Sequence, residues 1–195
     1  MAYPFIVLEG IDCCGKETQV RELLKWLKRR RLPAVVHKYP TAGAKKVHEY
    51  LGRRQVMDAD SLFSAFVDDL QAHQAQLAKD RGRAWVIADR YCVSTAAYQG
   101  VDGKLDARIA QLEKFEWVKP DFVLWLDLPV EEAMRRKAGQ KKPDRHEADR
   151  AFLEEVRANF DSLYRRSFLC SNWKRIDASQ PPERVAADIR AAIGQ

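Results

Sequence analysis

The sequence is short of several things, and each shortage excludes a class of protein. Its 195 residues include four cysteines, Cys13, Cys14, Cys92 and Cys170. None has the C-x-x-C spacing of a zinc or redox site, and adjacent cysteines rarely bridge to each other. Free thiols in a reducing compartment are expected. No apolar run approaches the roughly 20 residues that a membrane-spanning helix needs. Neither a basic leader nor a cleavable apolar segment precedes the first strand-like run, so a cytoplasmic location away from membranes is expected. Internal repeats and low-complexity linkers are missing too. With 46% hydrophobic residues, a single packed domain over 1–195 is expected. No Asn-Lys-x-Asp element occurs, which removes the guanine-reading step of a regulatory GTPase. The net charge of +6 comes without a recognised nucleic-acid-binding module. Its densest cluster, Lys28-Arg29-Arg30-Arg31, falls at the predicted end of a helix just before Pro33, where cations complement the helix dipole. No nucleic-acid partner is expected.

What the sequence does contain is concentrated near its start. The apolar run Phe5-Ile6-Val7-Leu8 leads into Glu9-Gly10-Ile11-Asp12-Cys13-Cys14-Gly15-Lys16-Glu17-Thr18-Gln19. Gly10 and Gly15 permit backbone angles closed to other residues, so consecutive amides can wrap an anion, and Lys16 adds a positive charge. Val20, Leu23, Leu24 and Leu27 then recur at helical spacing, predicting a helix from about Lys16. Strand, glycine-rich turn and helix N-terminus together make a phosphate-binding loop for a nucleotide polyphosphate. Glu17 stands where a Ser or Thr hydroxyl ordinarily ligates magnesium, with Thr18 one residue later.

Strand-like runs recur at 4–9, 34–38, 84–88, 121–127 and 173–177, separated by segments long enough for helices. Alternation of this kind predicts a parallel sheet with helices on both faces. Ligands of such sheets collect at the carboxyl ends of the strands, where Tyr39-Pro40-Thr41 and Asp89-Arg90-Tyr91 fall. The segment 58–79 reads as one amphipathic helix, and further helices are expected around Phe152, Val156, Phe160 and Leu163 and around Val185, Ile189 and Ile193. By contrast, 137–149 has no apolar stripe and is basic at its start. It reads either as a solvated connector or as a mobile lid that closes over a transferring phosphoryl group.

Taken together, residues 5–19, Tyr39-Pro40, Asp89-Arg90-Tyr91 with Ser94-Thr95-Ala96-Ala97-Tyr98-Gln99-Gly100, Pro120-Asp121 and Leu126-Asp127 resemble the thymidylate kinase family along nearly the whole chain. The resemblance implies an α/β, three-layer P-loop NTPase fold, with a five-stranded parallel sheet flanked by helices and a mobile basic lid at about 137–149. It implies ATP-dependent phosphorylation of dTMP to dTDP by in-line transfer, with Mg2+, and a homodimer formed through segments such as 58–79 and 106–119. Family roles carried onto this sequence place Gly10, Ile11, Asp12, Cys13, Cys14, Gly15, Lys16, Glu17, Thr18 and Arg135 around ATP, with Ile176–Pro181 as the adenine-side loop. Asp12, Tyr39, Pro40, Phe63, Arg90, Ser94, Thr95 and Tyr98 fall around the acceptor nucleotide. Phe63 would stack on the base, Thr95 would meet its edge, Asp12 would accept from the sugar 3′-hydroxyl, and Tyr98 would crowd a 2′-hydroxyl. Asp12, Lys16, Asp89, Arg90 and Arg145 are the expected catalytic set, and Glu17 and Asp89 the expected metal contacts, directly or through water.

Two departures from the family pattern bear on function. Four residues after the stacking aromatic many members carry an arginine that bonds the thymine carbonyl; counted from Phe63 this sequence has Val67, so selectivity among pyrimidines is expected to be relaxed or rebuilt. The loop carries Cys13-Cys14 where some members have an arginine, and Lys141, Lys142 and Arg145 offer the missing cation from the lid. A nearby helix N-terminus would lower the pKa of these thiols, though small residues fitting a crowded loop explain them more simply. A deoxynucleoside kinase and a non-catalytic nucleotide-binding relative are the competing readings.

Overall fold

Five strands form one sheet in the computed structural model, which describes residues 2–138 and 150–194. They are β1 (Phe5–Glu9), β2 (Ala34–Lys38), β3 (Trp85–Asp89), β4 (Phe122–Asp127) and β5 (Trp173–Asp177), all parallel, in the order β2-β3-β1-β4-β5. Every residue of β1 and β3 is buried, whereas the edge strands β2 and β5 are partly open. That gradient is the reason the central strands read as unbroken apolar runs: helices cover both of their faces.

Among the described residues the helices are α1 (Lys16–Arg29), α2 (Lys45–Leu51), α3 (Ala59–Ala72), α4 (Gln74–Arg81), α5 (Cys92–Gln99), α6 (Leu105–Leu112), α7 (Val130–Ala138), α8 (Arg150–Arg165) and α9 (Pro182–Ala192). α1 buries Val20, Leu23, Trp26 and Leu27 and packs on α9 and β3, while α5 packs on α3, α6 and α8. The Arg30 guanidinium, just past the end of α1, lies 4.6 Å over the Trp26 ring, a surface contact that accounts for part of the basic cluster.

One helix was expected over 58–79, and two are found. α3 starts on a strong cap, with Asp58 accepting from the amides of Asp60 and Ser61. It stops at His73, whose ring nitrogen bonds the Asp69 carbonyl at 2.8 Å, and α4 begins at the next residue. The basic segment expected as a lid falls almost wholly at 139–149, outside the described residues.

The register aligns the ends of the central strands. Leu8 pairs with Asp89 on one side and with Leu124 on the other, and Lys38 pairs with Asp89. β1 is the point where chain order reverses across the sheet, so the loop after it opens between β3 and β4, the usual ligand position in such sheets.

Candidate functional site

The loop after β1 is built on two glycines that no other residue could replace without strain. Gly10 has φ 140°, and a Cβ there would lie 2.5 Å from the Leu126 carbonyl oxygen. Gly15, with φ 96°, turns the chain into α1. Lys16 lies buried beneath the loop, its Nζ donating to the carbonyls of Gly10 and Ile11 at 3.0 Å each. Thus the Gly10 and Ile11 carbonyls brace Lys16, and the Ile11 carbonyl also accepts from the Cys14 amide at 3.4 Å.

Two clefts open from this loop. The larger, about 770 Å³, is lined by Asp12, Cys13, Cys14, Gly15, Lys16, Glu17 and Thr18, by Asp89 and Arg136, and on its far side by Ala178, Gln180, Pro182 and Val185. The smaller, about 260 Å³, is lined by Asp12, Tyr39, Pro40, Arg90, Ser94, Thr95 and Tyr98, together with Phe66, Asp69, Leu70 and Gln99. Asp12, Lys38 and Arg90 line both. A polyphosphate in the first cleft and an anion in the second would meet across these three side chains.

Charge at the junction is arranged around Arg90. Its Nη2 donates to the Asp12 carboxylate and lies 3.4 Å from the Tyr98 hydroxyl, and its guanidinium lies over the Tyr98 ring at 4.9 Å. Nη1 donates to Ser94 Oγ at 3.1 Å and to the Gly10 carbonyl at 3.4 Å. Burial pushes the Asp12 carboxyl up, but the charges of Arg90 and Lys16 outweigh it and hold the group below the usual carboxylate range. Asp12 is therefore an anion at neutral pH, a hydrogen-bond acceptor engaged by Arg90. Asp89 meets Lys38, with Nζ 3.9 Å from its carboxylate, so Arg90 pairs with Asp12 and not with its sequence neighbour.

The family described as Thymidylate kinase matches residues 8–189. The chain belongs to this family. It is 38% identical to the thymidylate kinase of Synechococcus sp. strain RCC307, covering 97% of this chain and 94% of that one. The thymidylate kinase of Alkalilimnicola ehrlichii is 34% identical over 97% and 91% of the two chains, and that of Akkermansia muciniphila 36% over 96% and 90%. A thymidylate kinase fold therefore frames both clefts, and the larger suits a nucleoside triphosphate.

Within that frame three expectations need correction. Phe63 does not line the smaller cleft; it is 5% exposed, with the Arg108 guanidinium of α6 4.5 Å over its ring. The α3 face that reaches the cleft is one turn later, at Phe66, Asp69 and Leu70. Val67 is likewise in the core, so the aromatic and the residue four positions on that face the cleft are Phe66 and Leu70, and neither pairing offers an arginine. Arg135 is also displaced: its side chain is 77% exposed and paired with Glu132. Its neighbour Arg136 lines the larger cleft, donating to the Ala178 carbonyl at 2.9 Å and the Cys13 carbonyl at 3.5 Å. Finally, burial and the adjacent Asp12 raise the Cys13 pKa, opposite to the lowering expected at a helix N-terminus.

Sequence reasoning missed Lys38, Phe66, Asp69, Gln99 and Arg136. Asp69 is a brace: its carboxylate accepts from the Thr41 amide at 2.8 Å and hydroxyl at 2.5 Å, holding the loop after β2 against α3. Its position three residues after Phe66 on α3 was the available signal. Arg145, Lys141 and Lys142 lie outside the described residues. Among the described residues no three His, Cys, Asp or Glu side chains cluster as a metal site, and no helix is long and apolar enough to cross a membrane. The oxygen donors in the larger cleft, Glu17, Thr18 and Asp89, nevertheless fit magnesium, which binds through few protein oxygens and its own waters.

Proposed function

We propose that this protein transfers the γ-phosphoryl group of ATP to dTMP, giving dTDP, with ATP in the larger cleft and the acceptor in the smaller. The observation that carries the reading is the junction: Asp12, Lys38 and Arg90 line both clefts, so two phosphate groups can be brought into line with little further machinery. Phosphoryl transfer is governed by positioning and charge neutralisation. Lys16, with the loop amides, receives the β- and γ-phosphates. Arg90 turns from Asp12 to the acceptor phosphate, where its planar fork binds two oxygens. Asp12, released, accepts from the sugar 3′-hydroxyl, and Tyr98 closes the space beside C2′. Arg136 packs against the donor base, between the phosphate loop and the Ala178 loop. Glu17 and Asp89 would hold magnesium, directly or through water, and the metal would neutralise charge on the phosphates.

Base recognition rests on Phe66 as the stacking group and on Thr95 and Gln99 as the polar groups at the cleft wall. With Leu70 where a guanidinium would reach the base, discrimination among pyrimidines is weaker than a charged hydrogen bond provides, by about 1.5 to 3 kcal/mol. Arg145 supplies the remaining cation from the lid at about 137–149. The working form is a homodimer in the cytoplasm, and 1–195 acts as one domain. Coupled ADP-release assays with ATP and magnesium, comparing dTMP, dUMP, dCMP, UMP and thymidine, test this. Turnover of dTMP with measurable turnover of dUMP is expected. Phosphorylation of thymidine alone would make the protein a deoxynucleoside kinase, and no turnover of any acceptor would refute the reading.

A further inference from the structure

Glu9, the last residue of β1, is fully buried, and no step above uses it. Its carboxylate sits beneath the N-terminus of α5, where Oε1 accepts from the Tyr91 amide at 2.8 Å and the Ser94 amide at 3.2 Å. Oε2 accepts from the Ser94 hydroxyl. When Glu9 is ionised that hydroxyl gives its one hydrogen to it, so its oxygen is left to accept, and it does so from Arg90 Nη1 at 3.1 Å. Glu9, Ser94 and Arg90 thus form a directed chain in which each hydrogen bond fixes the polarity of the next.

The backbone at Arg90 points the same way. Arg90 has φ 70°, in the left-handed region that residues with a side chain rarely adopt. Its own amide donates to the Leu8 carbonyl at 3.0 Å, and the following amide, of Tyr91, donates to Glu9. Two successive residues of β1 therefore pin the amides on either side of the Arg90 Cα. Capping α5 alone would need only acceptors for free amides. The link through Ser94 to the guanidinium and the left-handed turn at Arg90 are additional, and both converge on one side chain.

We propose that Glu9 is a positioning residue for phosphoryl transfer: through Ser94 and the Tyr91 amide it holds the Arg90 guanidinium at the junction of the two clefts. The inference rests on the assignment of Arg90 to the acceptor phosphate. Loss of Glu9 should then damage acceptor binding and turnover and leave ATP binding alone.

A double-mutant cycle over Glu9→Gln and Arg90→Ala tests it, read by dTMP affinity in calorimetry and by steady-state kinetics. Expected are a loss of about tenfold or more in kcat/KM for dTMP in Glu9→Gln, ATP KM within about twofold of wild type, and almost no effect of Glu9→Gln on dTMP affinity once Arg90 is alanine. Ser94→Ala, which leaves the Glu9 contacts to both amides intact, should repeat the dTMP loss in milder form, and it replaces Glu9→Gln in the cycle if that variant does not fold. Additive losses would overturn the proposal, because Glu9 would then act independently of Arg90. Equal loss for dTMP and ATP would also overturn it and leave Glu9 a structural cap. A wild-type protein inactive toward every monophosphate would instead strike the kinase reading, whereas an active Arg90→Ala variant with unchanged dTMP affinity would refute the Arg90 assignment and this proposal with it.

Discussion

Replacing Glu9 with glutamine should change how the stability of the protein depends on pH, and the size of the change can be worked from its surroundings. Burial dominates and drives the carboxyl from the ordinary 4.5 up to about 7, against the opposing pull of the Ser94 hydrogen bonds and the charges of Arg90 and Lys16. A carboxyl raised in the folded state binds its proton more tightly there than in the unfolded chain. Between pH 4.5 and about 7 the folded protein therefore holds more protons, and stability falls as pH rises through that window. At about 1.4 kcal/mol for each tenfold change in proton affinity, the full loss is about 3 kcal/mol. In a chain of this size 1 kcal/mol moves Tm by roughly 2–4 °C, giving roughly 6–12 °C in all. Glutamine has no proton to lose, so the Tm of Glu9→Gln should rise relative to wild type by that amount between pH 5 and pH 8, whatever the constant offset between the two proteins. Asp12, Asp80 and Asp127 are held below their ordinary 3.8, so their losses come on acidification below this window and are common to both proteins. Thermal unfolding followed by circular dichroism at half-unit steps would measure the difference. Two Tm curves running parallel from pH 5 to pH 8 would show that Glu9 ionises as an ordinary carboxyl and that the burial argument is wrong.

Phe66→Ala should raise the acceptor KM roughly tenfold through lost stacking, with little change in Tm, while Phe63→Ala should cost about 3–5 kcal/mol of stability. The reverse pattern, in kinetics and thermal unfolding of the two variants, would return the stacking role to Phe63. Arg136→Ala should raise the ATP KM by about tenfold through loss of its contacts to the Cys13 and Ala178 carbonyls, with Arg135→Ala near wild type. ATP titrations of both variants decide between the neighbours, and equal effects would mean that neither side chain is placed as described.

The phosphate loop was legible because its signal is local: two glycines, a lysine and a helical stripe lie within a few residues, and no distant partner is needed to interpret them. The strands were legible for a related reason, since burial on both faces leaves an unbroken apolar run. Periodicity failed where two readings share one helix. Phe63 and Phe66 are one turn apart on α3, and what separates core from cleft is Arg108, which arrives from α6 to cover Phe63. Arg135 and Arg136 are adjacent, and what distinguishes the second is its bonds to the Cys13 and Ala178 carbonyls. The expected helix is interrupted at His73, whose ring bonds back to the Asp69 carbonyl, a contact that an apolar pattern does not register. Glu9 is the extreme case: it looks like the last residue of a strand until Ser94, 85 positions away, is placed against it. Arg108 over Phe63, Ser94 on Glu9 and the Cys13 and Ala178 carbonyls on Arg136 are all partners from other parts of the chain, which a sequence pattern does not bring together. A family motif transfers the loop that binds phosphate; the residues that aim Arg90 have to be read from the fold.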